Sequence, residues 1–392
     1  MKKTLSILGS TGSIGLSVLT IIEKKKNIFK INFFSANKNY HLICKQIIKY
    51  KPKFFIVSND LIYKKVKKKF YKHKTKILNN FKLKNLPKTD ITISAIPGIA
   101  GLEPTLISVK LSKKILIANK ESIICGWHLL KSEAFKNNTK IVPVDSEHFS
   151  ILKLLEKEKI NEIKKIYITA SGGPFLKFKR KQFSKIKPKD AFKHPKWKMG
   201  KKISVDSSTL MNKMFEMVEA QKLFSIDLNK IDIVIHPQSL VHAIIEFKNG
   251  LHKFIYHETS MLIPLANAIF DNGVNIEDYI KPKTDSKDSI FFKNLNFLKV
   301  EKKRFPIIKL KNRINEHIST PIIINAANEI LVDQYLKEKI SFNTFYKYLS
   351  QVLNDRNYRK YAIKEPKNIN QIFEVDKWSR DTVYKKINYK NA

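Results

Sequence analysis

Three acidic residues and their neighbours set the chemistry open to this chain. Asp145 and Glu147 follow a short apolar run, Ile141–Val144, and stand two positions apart. Carboxylates so placed can converge on a hard cation if the turn aims both inward. They also fit a capping pattern, with Ser146 and Glu147, before a helix over 149–156. The pair alone leaves both readings open. Glu216 belongs to the stretch Ile203–Ala220, where Asp206, Ser207, Ser208 and Thr209 are all helix-capping residues. From Leu210 onward apolar residues recur at helical spacing, so the pattern predicts an extended run and then a helix over 209–224. Asn212, Lys213 and Glu216 share one face of that helix. The face offers a carboxylate for a metal and a lysine for an anion, beside backbone N–H groups at the helix start. A solvated Lys–Glu pair is the commoner meaning of the spacing taken alone.

A second group of residues suits a nucleotide. Thr4–Leu8 reads as a strand and Leu16–Glu23 as a helix, joined by Gly9-Ser-Thr-Gly12-Ser-Ile-Gly15. Glycines three apart at such a junction let the backbone approach a pyrophosphate at the helix N-terminus. The spacing is not the common Gly-x-Gly-x-x-Gly, and a tight turn without ligand remains an alternative. After the next strand, Ile31–Ser35, the chain carries Asn37-Lys38-Asn39 and no acid. An acid there would bond a ribose 2′-hydroxyl, whereas a cation suits a 2′-phosphate, so NADP(H) is favoured over NAD(H). Ser171-Gly172-Gly173 can present a hydroxyl and N–H groups to a phosphate, or be only a turn. The segment 192–200, bracketed by proline and glycine and carrying Trp197, reads as a loop able to act as a lid. His236 and His242 fall on strands, where packing is a commoner role than metal ligation.

The elements that must position these groups follow from pattern. Strands at 54–57, 91–95, 115–118 and 141–144 continue the alternation with helices; 91–95 ends in Ile96-Pro-Gly-Ile-Ala-Gly101 and the last two in the polar clusters 119–122 and 145–148. That is the pattern of a doubly wound parallel sheet, with ligands at its strand ends. A second block starts at Ile166–Ala170 and continues with antiparallel strands at 231–236, 241–247 and 252–256. Residues 271–300 lack periodicity, and helical patterns fill 305 to the end, as in a small bundle.

With 392 residues the chain should form two or three domains. Its net charge of +41 invites a nucleic-acid or membrane reading. Against it, only six of the 75 basic residues are arginine, and the lysines are spread among Ile, Asn and Phe. Base and phosphate recognition favours arginine's planar fork. Two cysteines, Cys44 and Cys125, suggest a reduced compartment. No apolar stretch reaches transmembrane length, and the expected location is the cytoplasm.

Taken in order, the motifs resemble one family. They are Gly-Ser-Thr-Gly-Ser-Ile-Gly at 9–15, Ala-Asn-Lys-Glu-Ser at 118–122 and Pro-Val-Asp-Ser-Glu-His at 143–148. Thr-Ala-Ser-Gly-Gly-Pro-Phe at 169–175, His-Pro-x-Trp-x-Met-Gly at 194–200, Met-Asn-Lys at 211–213, His-Pro-Gln-Ser at 236–239 and Asn-Ala-Ala-Asn-Glu at 325–329 follow. The set resembles the 1-deoxy-D-xylulose 5-phosphate reductoisomerases, from residue 4 to the C-terminal helices. The resemblance implies NADPH-dependent conversion of that phosphorylated sugar to 2-C-methyl-D-erythritol 4-phosphate, in isoprenoid precursor synthesis, by retro-aldol and aldol steps and hydride transfer. It implies a homodimer, with an NADPH domain over 1–148, a catalytic domain over 149–270 with a flap at 191–200, a linker at 271–304 and a helical domain at 305–392. It implies that Asp145, Glu147 and Glu216 bind one Mg²⁺, Mn²⁺ or Co²⁺. Lys120, Ser146, Ser171, His194, Ser207, Asn212, Lys213 and Glu216 would contact substrate, with Lys120 also catalytic. Thr11, Gly12, Ser13, Ile14, Asn37, Lys38, Asn39, Asn119, Glu121 and Gly200 would line the cofactor site, and Trp197 and Met199 would sit on the flap.

Three places depart from the family pattern. Asn37 and Met214 stand where glycine is usual, and His257-Glu-Thr-Ser-Met-Leu-Ile-Pro264 replaces Gly-x-Pro-Asp-Met-Arg-x-Pro. If the lost aspartate and arginine form a pair, losing both leaves no unpaired charge. A plain NADP-dependent dehydrogenase would leave the carboxylates and phosphate-binding residues without a role. A nucleic-acid binder would need its lysines on one face.

Overall fold

A computed structural model describes residues 2–82, 86–194, 196–197, 199–280 and 294–388. Seven strands form one parallel sheet: β1 Lys3–Leu8, β2 Phe29–Ala36, β3 Phe54–Val57, β4 Lys76–Leu78, β5 Thr89–Ser94, β6 Ser112–Ile117 and β7 Lys140–Pro143. Their order is β4-β3-β2-β1-β5-β6-β7, so the winding reverses between β1 and β5. This is the doubly wound sheet expected from the alternation. The strand cores are Leu, Ile, Phe and Val buried on both faces, as a helix-covered parallel sheet requires. The short lysine-bearing β4 has no counterpart in the sequence pattern; it pairs with β3, with Phe54 opposite Lys76, and its Leu78 packs against the cluster that holds Phe54 and Ile56.

A five-stranded sheet carries the second block: β8 Ile163–Ala170, β9 Ile231–Ile235, β10 Val241–Phe247, β11 His252–Tyr256 and β12 Leu298–Lys299, in the order β11-β10-β8-β9-β12. β10 is antiparallel to β8 and β11, as expected, but β8 and β9 run parallel. The crossover between them contains the helices Lys201–Thr209 and Met211–Phe224, and the latter packs on both strands. The C-terminal helices include Thr320–Leu336, Phe345–Leu353 and Ile369–Asn388, in agreement with the periodicity.

One expected element is different. The residues before 209 are not extended: Asp206–Thr209 lie within a helix, and Thr209 Oγ1 accepts from Met211 N at 3.3 Å where the next helix begins. Lys201–Thr209 is itself a helix, ended by Leu210 in the left-handed conformation at φ 65°. Leu210 then starts the helix Met211–Phe224. The apolar repeat cannot reveal this, because Leu210 is buried on either reading.

The described residues divide into two units, those within 2–122 with 127–149 and 260–280, and 123–126 with those within 150–259 and 294–388. The break at 149 falls beside the expected boundary at 148, while no break falls at 270 or 304. Leu262–Phe270 returns to the first unit, where Phe270 meets Phe29 at 5.8 Å and Lys114 bonds Asp271 at 2.8 Å. The helices beyond 305 belong with the second sheet rather than apart from it. Of the expected flap and linker, Pro195, Lys198 and 281–293 lie outside the described residues.

Candidate functional site

The glycine turn fits the end of β1 for steric reasons. Gly9 has φ +81°, and a Cβ there would lie 2.6 Å from the Ala95 carbonyl oxygen on the neighbouring strand's exit. A Cβ on Gly15 would lie 2.4 Å from the Gly9 carbonyl oxygen, so glycine lets helix Ser13–Lys24 seat against the turn. Gly12 is the N-cap, and no side chain caps the helix. Gly12 and Ser13 are exposed, Thr11 and Ile14 half-buried. The result is an open helix N-terminus at the winding reversal, suited to a pyrophosphate.

The other expected cofactor residues sit at neighbouring strand ends of this unit. Asn37, Lys38 and Asn39 are exposed just beyond β2. Asn39 has a structural task as well, because its carboxamide oxygen accepts from Leu42 N at 3.1 Å and caps helix Tyr40–Tyr50. Asn119 is buried beyond β6. It accepts from Ser122 N at 2.8 Å and donates to the carbonyls of Ile96 (2.6 Å) and Gly98 (3.1 Å) and to Glu121 (3.0 Å). It thus braces two strand-end loops against each other, a role not visible in its sequence motif.

Asp145 leaves β7 as the cap of helix Ser146–Leu155. Its carbonyl accepts from Phe149 N at 2.8 Å, while Glu147 N lies 3.3 Å from its Oδ1. The capping reading of this pair is therefore correct, and it does not exclude ligation, since Oδ2 faces Lys120 Nζ at 3.3 Å. Ser146 Oγ donates to Glu147 at 2.6 Å. Lys120 is 9% exposed at the start of helix Lys120–Lys136, which holds its ammonium close to the carboxylate.

In the second unit Asn212, Lys213 and Glu216 lie on one face of Met211–Phe224, as their spacing predicts. Lys213 Nζ is 2.7 Å from Glu216 Oε2, and Asn212 donates to Oε1. Glu216 is 1% exposed, so an isolated charge would be costly and these donors offset that cost. This is not a solvated surface pair.

Ser171 and His194, 23 positions apart, meet at 2.9 Å. His194 Nδ1 accepts from Trp197 N (2.9 Å) and Lys196 N (3.2 Å), which fixes the proton on Nε2 and makes that nitrogen the donor to Ser171 Oγ. Gly173 N also donates to Ser171 Oγ at 3.1 Å. With two donors received, the serine hydroxyl is oriented to donate its own proton outward. Burial, then the Lys213 ammonium, lowers the His194 pKa from 6.5 to about 4, so the ring is neutral near pH 7. Gly173 (φ +65°) lies against the helix end, where a Cβ would be 3.1 Å from Ser208 Cα and 3.2 Å from the Ser207 oxygen. Ser171 and Ser207 are thus neighbours through Gly173. Gly200 caps Lys201–Thr209, and Trp197 meets His242 edge-on at 6.2 Å, while Met199 is half-buried.

His236 and His242 are packed, as expected: His236 stacks on Phe297 at 4.8 Å and His242 on His257 at 3.9 Å. His257 occupies one of the divergent positions. Another, Ser260, has Oγ 3.3 Å from Leu262 N at the start of Leu262–Phe270, so serine supplies the helix-end acceptor an aspartate would give.

Among the described residues, Asp145, Glu147 and Glu216 make up the acidic triad able to take up a divalent ion. All of its donors are carboxylate oxygens, which suits a hard cation such as Mg²⁺. No helix among the described residues is long and apolar enough to cross a membrane.

A dinucleotide turn at a winding reversal, in a chain with an oxygen-donor metal triad, defines a nucleotide-dependent oxidoreductase with a metal-assisted step. Known proteins narrow this further. The family description 1-deoxy-D-xylulose 5-phosphate reductoisomerase matches residues 5–126, and the two descriptions of its C-terminal domains match 141–224 and 258–382. A protein of that name from Pelagibacter ubique (strain HTCC1062) is 44% identical over 376 residues, covering 94% of this chain and 96% of the relative. One from Francisella tularensis subsp. novicida is 37% identical, covering 97% and 98%. A crystal structure of DOX-P reductoisomerase with NADPH, fosmidomycin and magnesium superposes with TM-score 0.91 at 30% identity, covering 99% of each chain. The Zymomonas mobilis enzyme with NADPH gives 0.86 at 28%, again covering 99% of each. The chain belongs to the 1-deoxy-D-xylulose 5-phosphate reductoisomerase family.

Proposed function

We propose that this chain converts 1-deoxy-D-xylulose 5-phosphate to 2-C-methyl-D-erythritol 4-phosphate, using NADPH and one divalent ion held by Asp145, Glu147 and Glu216. The observation that carries the reading is the acidic triad itself, because a plain dehydrogenase has no use for it. Magnesium and NADPH accompany the related crystal structure at 30% identity. Mn²⁺ and Co²⁺ also suit the donor set. When bound, the ion supplies Lewis-acid polarisation of the substrate's carbonyl and adjacent hydroxyl oxygens. NADPH supplies the hydride.

The chain's own residues do the rest. Lys120 holds positive charge beside Asp145, where the reacting oxygens gain negative charge, and can pass a proton to them. Ser171 donates its hydroxyl proton to a substrate phosphate oxygen, as its two received bonds dictate. Ser207, Asn212 and Lys213 hold the same phosphate, while Ser146 orients the hydroxyls. His194 links Ser171 to the Trp197 backbone, so phosphate binding and flap closure over the site are one event. Thr11 to Ile14 face the pyrophosphate, and Asn37 to Asn39 the 2′-phosphate end. The working form is a homodimer in the cytoplasm, and light scattering checks the assembly.

The test is NADPH consumption with 1-deoxy-D-xylulose 5-phosphate, with Mg²⁺ or Mn²⁺ and again with chelator. Wild type should need the metal, and Glu216→Gln should lose about a hundredfold or more in kcat. Turnover indifferent to chelator would instead mark a plain dehydrogenase.

A further inference from the structure

We infer that Arg304, outside every motif discussed above, is a positioning residue for the phosphate-binding turn; this rests on the proposed role of Ser171. Arg304 lies more than a hundred positions beyond that turn. Its Nη1 nevertheless donates to the carbonyls of Phe178 (2.8 Å) and Leu176, with Phe175 O at 3.5 Å. Its Nε faces Glu301 at 3.4 Å, which holds the guanidinium from behind. These carbonyls form the turn that follows Ser171-Gly172-Gly173.

The turn needs such a holder. Gly172 and Gly173 both have positive φ, +81° and +65°, so two flexible residues separate Ser171 from the rest of the turn. Glycine confers no side-chain packing to fix them. Leu176 supplies it from outside, since its Cδ1 lies 2.8 Å from where a Gly172 Cβ would be. The Leu176 carbonyl is one that Arg304 holds, so the guanidinium fixes the residue that covers Gly172. Phe175 is 1% exposed and meets Phe178 and Phe342 at 5.1 Å each, which anchors the other side. Fixing Gly172 sets the plane of the Gly172–Gly173 peptide and with it the Gly173 N–H that orients Ser171 Oγ. Arg304 therefore holds the carbonyls of the turn toward itself and so keeps the Gly173 N–H on Ser171 Oγ.

Composition supports a specific need for the guanidinium. The chain uses lysine at all but six of its 75 basic positions. Arg304, Arg313 and Arg380 each serve more than one acceptor, a task for a planar multi-donor head. Lysine at 304 would be shorter and would lose the Nε contact.

The experiment measures KM for the phosphorylated substrate and competitive inhibition by inorganic phosphate, both through NADPH consumption, in Arg304→Met, Arg304→Lys and Ser171→Ala. Arg304→Met should weaken substrate and phosphate by a common factor of about ten, with kcat within about threefold and NADPH affinity by fluorescence unchanged. Arg304→Lys should fall between it and wild type. The double variant with Ser171→Ala should be less than additive, because both act on one hydroxyl. Unchanged KM and phosphate inhibition in Arg304→Met, alongside a Ser171→Ala defect, would overturn the Arg304 role alone. No defect in Ser171→Ala would overturn the phosphate reading beneath it. If Arg304→Met does not fold, Arg304→Lys decides: a normal KM with reduced kcat and melting temperature means a structural role only.

Discussion

At the scale of residues, what was readable depended on whether one helix carried the partners. Asn212, Lys213 and Glu216 could be grouped from spacing because a helix brings i, i+3 and i+4 together. Ser171 and His194 could not, since loops 23 positions apart have no period, although both motifs were visible. The family resemblance implies a cofactor contact for Asn119, while its bracing of Ile96 and Gly98 depends on a strand order that no local pattern encodes. The His194 tautomer yields a pH prediction. Its pKa, near 4 against 6.5 when unfolded, means the folded form disfavours the proton. Its contribution to stability is full above about 6.5 and is lost as pH falls through about 4. Difference melts of wild type against His194→Gln should show wild type gaining stability between those limits and no pH dependence of the difference above them. Substrate KM should rise only as pH approaches about 4, where the folded ring takes its proton, because a proton on Nδ1 removes the acceptor for Trp197 N.

At the scale of elements, the strands of the first sheet were legible from apolar runs and the glycine turn from its spacing. The break at Leu210 was not, because only φ distinguishes one long helix from two. It has a functional effect, since Ser207 ends one helix while Asn212 and Lys213 open the next, and a single straight helix would present them in a different relation. The glycine turn gives the sharper test. Gly15→Ala puts a Cβ 2.4 Å from the Gly9 oxygen, with backbone on both sides and no side chain to yield. Helix Ser13–Lys24 must then move away from the turn. NADPH affinity should fall about tenfold or more, while Gly250→Ala, whose Cβ meets nothing within 4 Å, should leave NADPH affinity unchanged even though its φ of +86° is strained. Equal NADPH affinity in Gly15→Ala and wild type would count against a pyrophosphate at this turn.

At the scale of the whole molecule, the charge of +41 reads as a property of the chain rather than of one site. Lysines pair locally, as in Lys49 with Glu23, Lys113 with Asp90 and Lys153 with Glu156, or lie over aromatic rings, as Lys67 does over Tyr63. Acids are too few to pair with all of them, so self-repulsion should weaken the fold at low ionic strength. The melting temperature should rise by several degrees between about 10 and 300 mM sodium chloride as screening shortens to below about 10 Å; a flat response would mean the charges are already compensated. Domain boundaries were the least legible feature, because residues 260–280 return to the first unit after the second has begun. The same return has a consequence for synthesis on the ribosome. The first sheet lacks the Phe270 and Asp271 partners of Phe29 and Lys114 until translation passes them. At ordinary elongation rates that delay is roughly 10 s or more. Throughout it Phe29, at the start of an internal strand, lacks its aromatic cover and offers an apolar point of engagement for a chaperone.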